Sequence, residues 1–282
     1  MMFDLLSLAS IIAKFFLYIS VLTAAGTAIV APLFRLSLKK IFTAKAILIA
    51  LCSSLMLYGL DAILLAGDVT GLANAEILSL ISETSNGNAF YIRIIGLVLL
   101  LMGLLNNRLS KWISIIGGFI SLYSFTQVGH MHEHGSILIS LSLFVHVTVA
   151  ALWLSILLPL RDLVLSENTI NEAARVAHQF GQIALFFIPL LILAGTYMAW
   201  VLFDNAIDLV STRYGQIILI KIFLTSILLS LAAFNKFKFV PQLKAGNSLA
   251  AHKLANTIQI ERVLLTLILI AIAIATSVAK RL

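Results

Sequence analysis

The 282-residue sequence has one cysteine, four prolines and only 11% charged residues. A single cysteine excludes both an intrachain disulfide framework and a cysteine metal cluster. Cys52 itself sits in an apolar run and reads as a small packing residue of a helix. No Gly-x-x-x-x-Gly-Lys-Ser/Thr phosphate loop, Asp-Lys-Thr-Gly phosphorylation motif or Cys-x-x-Cys pair occurs. The chain therefore carries no recognisable means of powering a pump and no sign of an enzyme. Any transport by it would run down a gradient, couple to protons or be driven by a partner. A basic leader is also lacking, and the first apolar run continues to Pro32. That run is read as a retained first span rather than a cleaved signal peptide.

Apolar residues make up 61% of the chain, and the mean hydropathy is +1.08. A soluble chain carries about a quarter charged residues, and a domain of this length could not bury so much apolar surface in one core. Lipid must be part of the solvent. Apolar segments at 5–33, 45–66, 89–105, 112–128, 136–160, 179–203, 214–235 and 261–279 match the length of helical spans. They show no period-2 alternation and exceed the length of barrel strands. The sequence predicts an all-α, polytopic integral membrane protein with about eight transmembrane helices. Seven is the alternative count, because the third and fourth segments are short and separated by the polar stretch Asn106–Lys111. The chain reads as a single membrane domain, with a four-helix half over 1–128 and a second half over 129–282.

The net charge of +7 is spread along the spans and does not indicate nucleic acid. Segments following the odd-numbered spans hold Arg35, Lys39, Lys40, Lys45, Arg108, Lys111, Arg161, Arg175, Lys236, Lys238, Lys244, Lys253 and Arg262. The other side holds Arg93, Arg213, Lys280 and Arg281. Positive charge marks the cytoplasmic side, which predicts periplasmic N- and C-termini in a multi-pass inner-membrane protein. Asp68, Glu76, Glu83, Asp204 and Asp208 then face outward, where acidic oxygens attract cations.

Half of the six histidines fall in Gly129-His130-Met131-His132-Glu133-His134-Gly135. In an extended loop His130, His132 and His134 project to one side. Imidazole suits copper, zinc and nickel, and the Met131 thioether favours Cu(I). The alternative is a short polar turn rich in histidine. His146 lies deep in the fifth span, where an ionisable residue is a functional candidate, and Trp153 follows on nearly the same helical face. Met56 and Met198 are candidates to extend a soft-metal path, although single methionines in helices more often pack. Lys14 and Lys221 are also set in apolar sequence. Lys221 can snorkel to the nearer interface, and Asp61 is a possible counter-ion for Lys14 or Arg93. His178 and His252 fall in the basic segments. Glu261 and Arg262 are expected to open the last span in a helix-end role.

Gly129-His130, His146, Ala150-Ala151-Leu152-Trp153-Leu154 and Leu157-Leu158-Pro159-Leu160 together resemble a stretch of the copper resistance protein CopD family. Gly195-Thr196-Tyr197-Met198-Ala199-Trp200 is similar to that family's G-x-Y-x-A-W. Thr212-Arg213-Tyr214-Gly215, Lys221 and Asn235-Lys236-Phe237 continue the likeness, and Glu261 stands where the family has an acid. The resemblance spans about 129–280 and is weaker in the first four helices. It implies an eight-helix inner-membrane protein of copper uptake or tolerance, working with a periplasmic copper carrier of the CopC type. It carries over His130, His146, Trp153, Tyr214, Lys221 and Asn235 as matching positions. His132 and His134 are not part of the pattern, and Ser155 and Ile156 replace its pair of glycines, which puts close helix packing there in question.

The reading from sequence is a copper-binding membrane protein that takes metal at the His/Met loop and passes it toward His146, with zinc as the other candidate ion. A copper-buffering or sensing partner of a periplasmic chaperone is the alternative. A haem cytochrome would need paired histidines at matched depth on facing helices, and His178 belongs to the other face.

Overall fold

The computed structural model describes residues 2–105, 108–128, 136–203, 205 and 207–278. Its eight long helices are α1 (Met2–Leu33), α2 (Lys40–Ala66), α3 (Ser85–Met102), α4 (Arg108–Tyr123), α5 (Ile137–Leu165), α6 (Ile170–Leu202), α7 (Arg213–Phe234) and α8 (Ser248–Val278). No strand occurs among the described residues. Helix is the expected answer for chain in lipid, because it satisfies every backbone N–H and C=O within the segment. The ends carry local stop and start signals. Gly67, at φ +82°, closes α2 with its N–H on the Ile63 carbonyl at 2.9 Å. Thr84 and Thr212 cap α3 and α7 by accepting from the amides of Gly87 and Gly215.

Among the described residues, seven helices are long and apolar enough to cross a membrane. The remaining one, α4, has 16 residues and is continued by a 3₁₀ turn over Ser124–Gln127. At 1.5 Å and about 2 Å per residue the pair reaches roughly 32 Å. It forms a close antiparallel hairpin with α3. A Cβ on Gly96 would collide with Ser121, and one on Gly103 would collide with Ser114. Small residues of this kind let backbones approach in a membrane, where packing replaces the hydrophobic drive.

Several helices run past the apolar segments at the face that holds most Lys and Arg. Helix α2 begins at Lys40, α6 at Ile170 and α8 at Ser248, while α5 continues to Leu165. Hydropathy marks what lipid touches, and a helix does not end where lipid does. The 67–84 connection is also ordered, with a 3₁₀ turn (Val69–Ala73) and a short helix (Ala75–Ser82). Asp68 caps the turn through the Thr70 hydroxyl and amide, and these bonds hold its carboxyl below the ordinary range. Asp61 accepts from the Asn86 amide at 2.8 Å.

Helix α1 packs against α2, α4, α5 and α8 and is the central strut of the bundle. Its contact with α5 depends on Gly26, where a Cβ would collide with the Ala151 carbonyl and the Ser155 hydroxyl. Ser155 Oγ donates back toward the Leu22 and Thr23 carbonyls of α1 at 3.3 and 3.2 Å. Close packing is therefore kept despite Ser155 and Ile156, because the glycine sits on the opposing helix. Polar side chains tie this strut to its neighbours. Arg175 and Gln179 of α6 donate to the Phe34 and Leu33 carbonyls at the end of α1. Lys14 donates to the Thr276 carbonyl and the Ser277 hydroxyl at the end of α8. A cation at a helix C-terminus is favourable.

Candidate functional site

His146 stands nine residues into α5, about 13.5 Å from its first residue. The residue as a whole is half-buried, yet its Nδ1 is fully buried and has no hydrogen-bond partner among the described residues. A buried polar atom left open in this way is rare and calls for an explanation. The ring faces α6 at Gly195, where an added Cβ would lie 3.6 Å from Cε1 and 3.7 Å from Nδ1. The Leu191 backbone lies beside the ring, and the Lys221 ammonium of α7 is within electrostatic reach. Two separate features of the sequence, His146 and the Gly195–Trp200 motif, thus meet between α5 and α6, with Lys221 of α7 within electrostatic reach.

The other candidates fall at varied places. Met198 is buried on α6, one turn beyond Gly195. Tyr214 is half-buried at the start of α7, its ring centroid 6.1 Å from that of Phe203. Met56 is 45% exposed on α2. His178 and His252 are exposed on α6 and α8. His130, Met131, His132 and His134 lie outside the described residues. Among the described residues, no group of three or more His, Cys, Asp or Glu is placed to hold a metal ion.

A second polar centre lies deeper. Glu261 is 3% exposed, and both of its carboxylate oxygens are engaged by neutral donors. Trp153 Nε1 donates to Oε2 at 3.0 Å, and Asn235 Nδ2 donates to Oε1 at 2.6 Å. Thr257 Oγ1 lies 2.6 Å from Asn235 Oδ1 as its donor, which fixes the orientation of that amide. Asn235 opens a π-helical turn over Asn235–Phe239 that continues α7, and such turns recur at functional sites. Four residues of α5, α8 and the end of α7 thus form one satisfied network. A few ångströms away, Lys236 reaches back to the Gly181 carbonyl of α6 at 2.6 Å.

This centre corrects the expectation for Glu261. The residue does not open the last helix, because α8 begins thirteen residues earlier at Ser248. Glu261 lies about 20 Å from that start, inside the bundle. The family resemblance had marked Trp153, Asn235 and Glu261 as separate positions, and the structure brings them together. Thr257 went unnoticed in the sequence. A signal was present: with the helix begun after Gly246-Asn247, Thr257 and Glu261 fall four residues apart on one face.

The spans and buried polar centres define a polytopic all-α membrane protein with ionisable groups held inside its helix bundle. Residues 2–139 match the family described as copper resistance protein D-like, N-terminal domain, and residues 174–275 match copper resistance protein D. The chain belongs to the copper resistance protein D family, and its role lies in copper resistance or homeostasis. No curated protein and no solved structure matches it.

Proposed function

We propose that the protein carries copper ions across the inner membrane. Copper is taken at the His130–His134 segment from a periplasmic carrier of the CopC type and handed inward to His146. The Lys and Arg asymmetry supports periplasmic termini and a periplasmic position for that segment. The observation that carries the reading is the open, buried Nδ1 of His146, on the helix into which the histidine segment leads. A neutral imidazole nitrogen is a natural ligand for copper. Met198 lies close along α6 and offers a thioether suited to the cuprous ion.

The test combines binding and flux. Cu(I), Cu(II) and Zn(II) are titrated into the purified protein, its His130→Ala/His132→Ala/His134→Ala variant and His146→Ala. Copper flux is then followed in proteoliposomes. The triple variant is expected to lose capture affinity, and His146→Ala to keep capture and lose flux. Unchanged affinity in the triple variant would remove the loop from the reading. Intact binding with no flux in the wild type would turn it into copper buffering.

A further inference from the structure

A fissure of about 600 Å³ opens between α1, α2, α5 and α8, and no residue of the two polar centres lines it. It follows α1 from Phe16 to Ala31, which is about 22 Å of helix. That exceeds the depth of one leaflet, roughly half of a 30 Å hydrocarbon core. Its walls include Ile19, Leu154, Leu158 and Leu267. Three of the hydroxyls on the walls are turned to backbone carbonyls. Ser20 bonds the Phe16 carbonyl, Ser155 the α1 carbonyls and Thr266 the Arg262 carbonyl. A wall that is mainly apolar, with these hydroxyls bonded to backbone, suits a hydrocarbon chain better than a hydrated ion.

The mouth has a different character. Lys39, Lys45 and Arg262 line it at the face rich in Lys and Arg. Lys39 is taken up by a salt bridge to Asp162. Arg262 gives one Nη1 bond to Gln259, a neutral acceptor, at 2.9 Å. Lys45 is exposed on α2 and also lines the fissure. An apolar channel of leaflet depth that ends in cationic donors is complementary to an anionic phospholipid. Basic pockets between helices bind such headgroups, and the volume lies within the range of ligand sites.

We infer that this fissure is a phospholipid site: one acyl chain lies along α1 between α2, α5 and α8, and Lys45 and Arg262 hold the phosphate of an anionic headgroup. The site is separate from the copper path proposed above and stands without it.

The test uses the full-length protein, delipidated in detergent and analysed by native mass spectrometry. It is titrated with phosphatidylglycerol or phosphatidylcholine of matched chains. Wild type is expected to retain one phosphatidylglycerol in preference to phosphatidylcholine. Each basic residue near a membrane surface contributes about five-fold in binding, so Lys45→Gln/Arg262→Gln should lose about 30-fold for phosphatidylglycerol. Phosphatidylcholine binding should stay unchanged. Thr27→Phe, which narrows the channel, should weaken long-chain lipids more than short-chain ones. Glycerol phosphate should not compete, since the chain supplies part of the binding. Equal retention of the two lipids by the wild type would overturn the site, whatever the variants do. Competition by glycerol phosphate at the concentration of the lipid would reduce it to a plain anion site and overturn the acyl-chain assignment.

Discussion

Trp153 and Glu261 lie 108 residues apart in the chain and meet inside the bundle, the indole Nε1–H donating to the carboxylate at 3.0 Å. This bond ties α5 to α8, and Asn235 brings in the end of α7 through the other carboxylate oxygen. Because all three groups are buried together, removing the acceptor strands two donors at once.

Glu261→Leu should therefore destabilise the protein more than Trp153→Phe. The first leaves two N–H donors buried without an acceptor, at about 1–3 kcal/mol each, while the second leaves one oxygen short of one bond. Thermal unfolding in detergent, compared across wild type and the two variants, checks the order. Equal losses would mean that the indole bond carries the whole network.

Two glycines should respond in opposite ways to alanine. Gly26→Ala forces a methyl into the Ala151 carbonyl and should lower stability by about 1–3 kcal/mol or more. Gly195→Ala meets only ordinary contact with the His146 ring and gains helix propensity of about 0.5–1 kcal/mol. Its melting temperature should hold or rise. Under the proposed copper path its copper affinity should fall, because the new methyl lies 3.7 Å from Nδ1. Parallel melting curves and copper titrations separate the two effects.

Lys14→Met removes the donor that meets Thr276 and Ser277. The last turn of α8 should fray, at a loss of about 0.3–1 kcal/mol for the helix-end charge. Hydrogen exchange of the 273–278 amides should rise while that of residues 254–265 holds. Uniform exchange along α8 would show that the ammonium contributes nothing local.

Asp68 offers a test by pH. Its bonds to the Thr70 hydroxyl and amide depress its carboxyl below the ordinary 3.8. The cap is fully formed above that value and is lost as pH falls through the lower folded value. The Thr70 amide resonance should titrate with a midpoint below 3.8, and Asp68→Ala should abolish the titration.

Much of the fold was legible because lipid imposes a simple rule on long apolar runs. The ends were not, since polar residues such as Ser248–Asn256 continue α8 beyond the apolar window. That one displacement moved Glu261 from an expected helix start to the bundle interior. His146 stood out as an ionisable residue in apolar sequence, while its meeting with Gly195 depends on how α5 and α6 pack. The cap at Asp68 was hidden for another reason: its charge suggested an open, cation-attracting loop, and only the turn geometry assigns it to Thr70.

The position of α8 in the chain has a consequence for biogenesis. Both Glu261 and the Thr276–Ser277 end belong to α8, which leaves the ribosome after α1, α5 and α7. Until it inserts, Trp153 and Asn235 lack their shared acceptor, and Lys14 lacks these two partners. These polar contacts thus wait for α8, and polypeptides halted before it would present unmet polar groups to quality control.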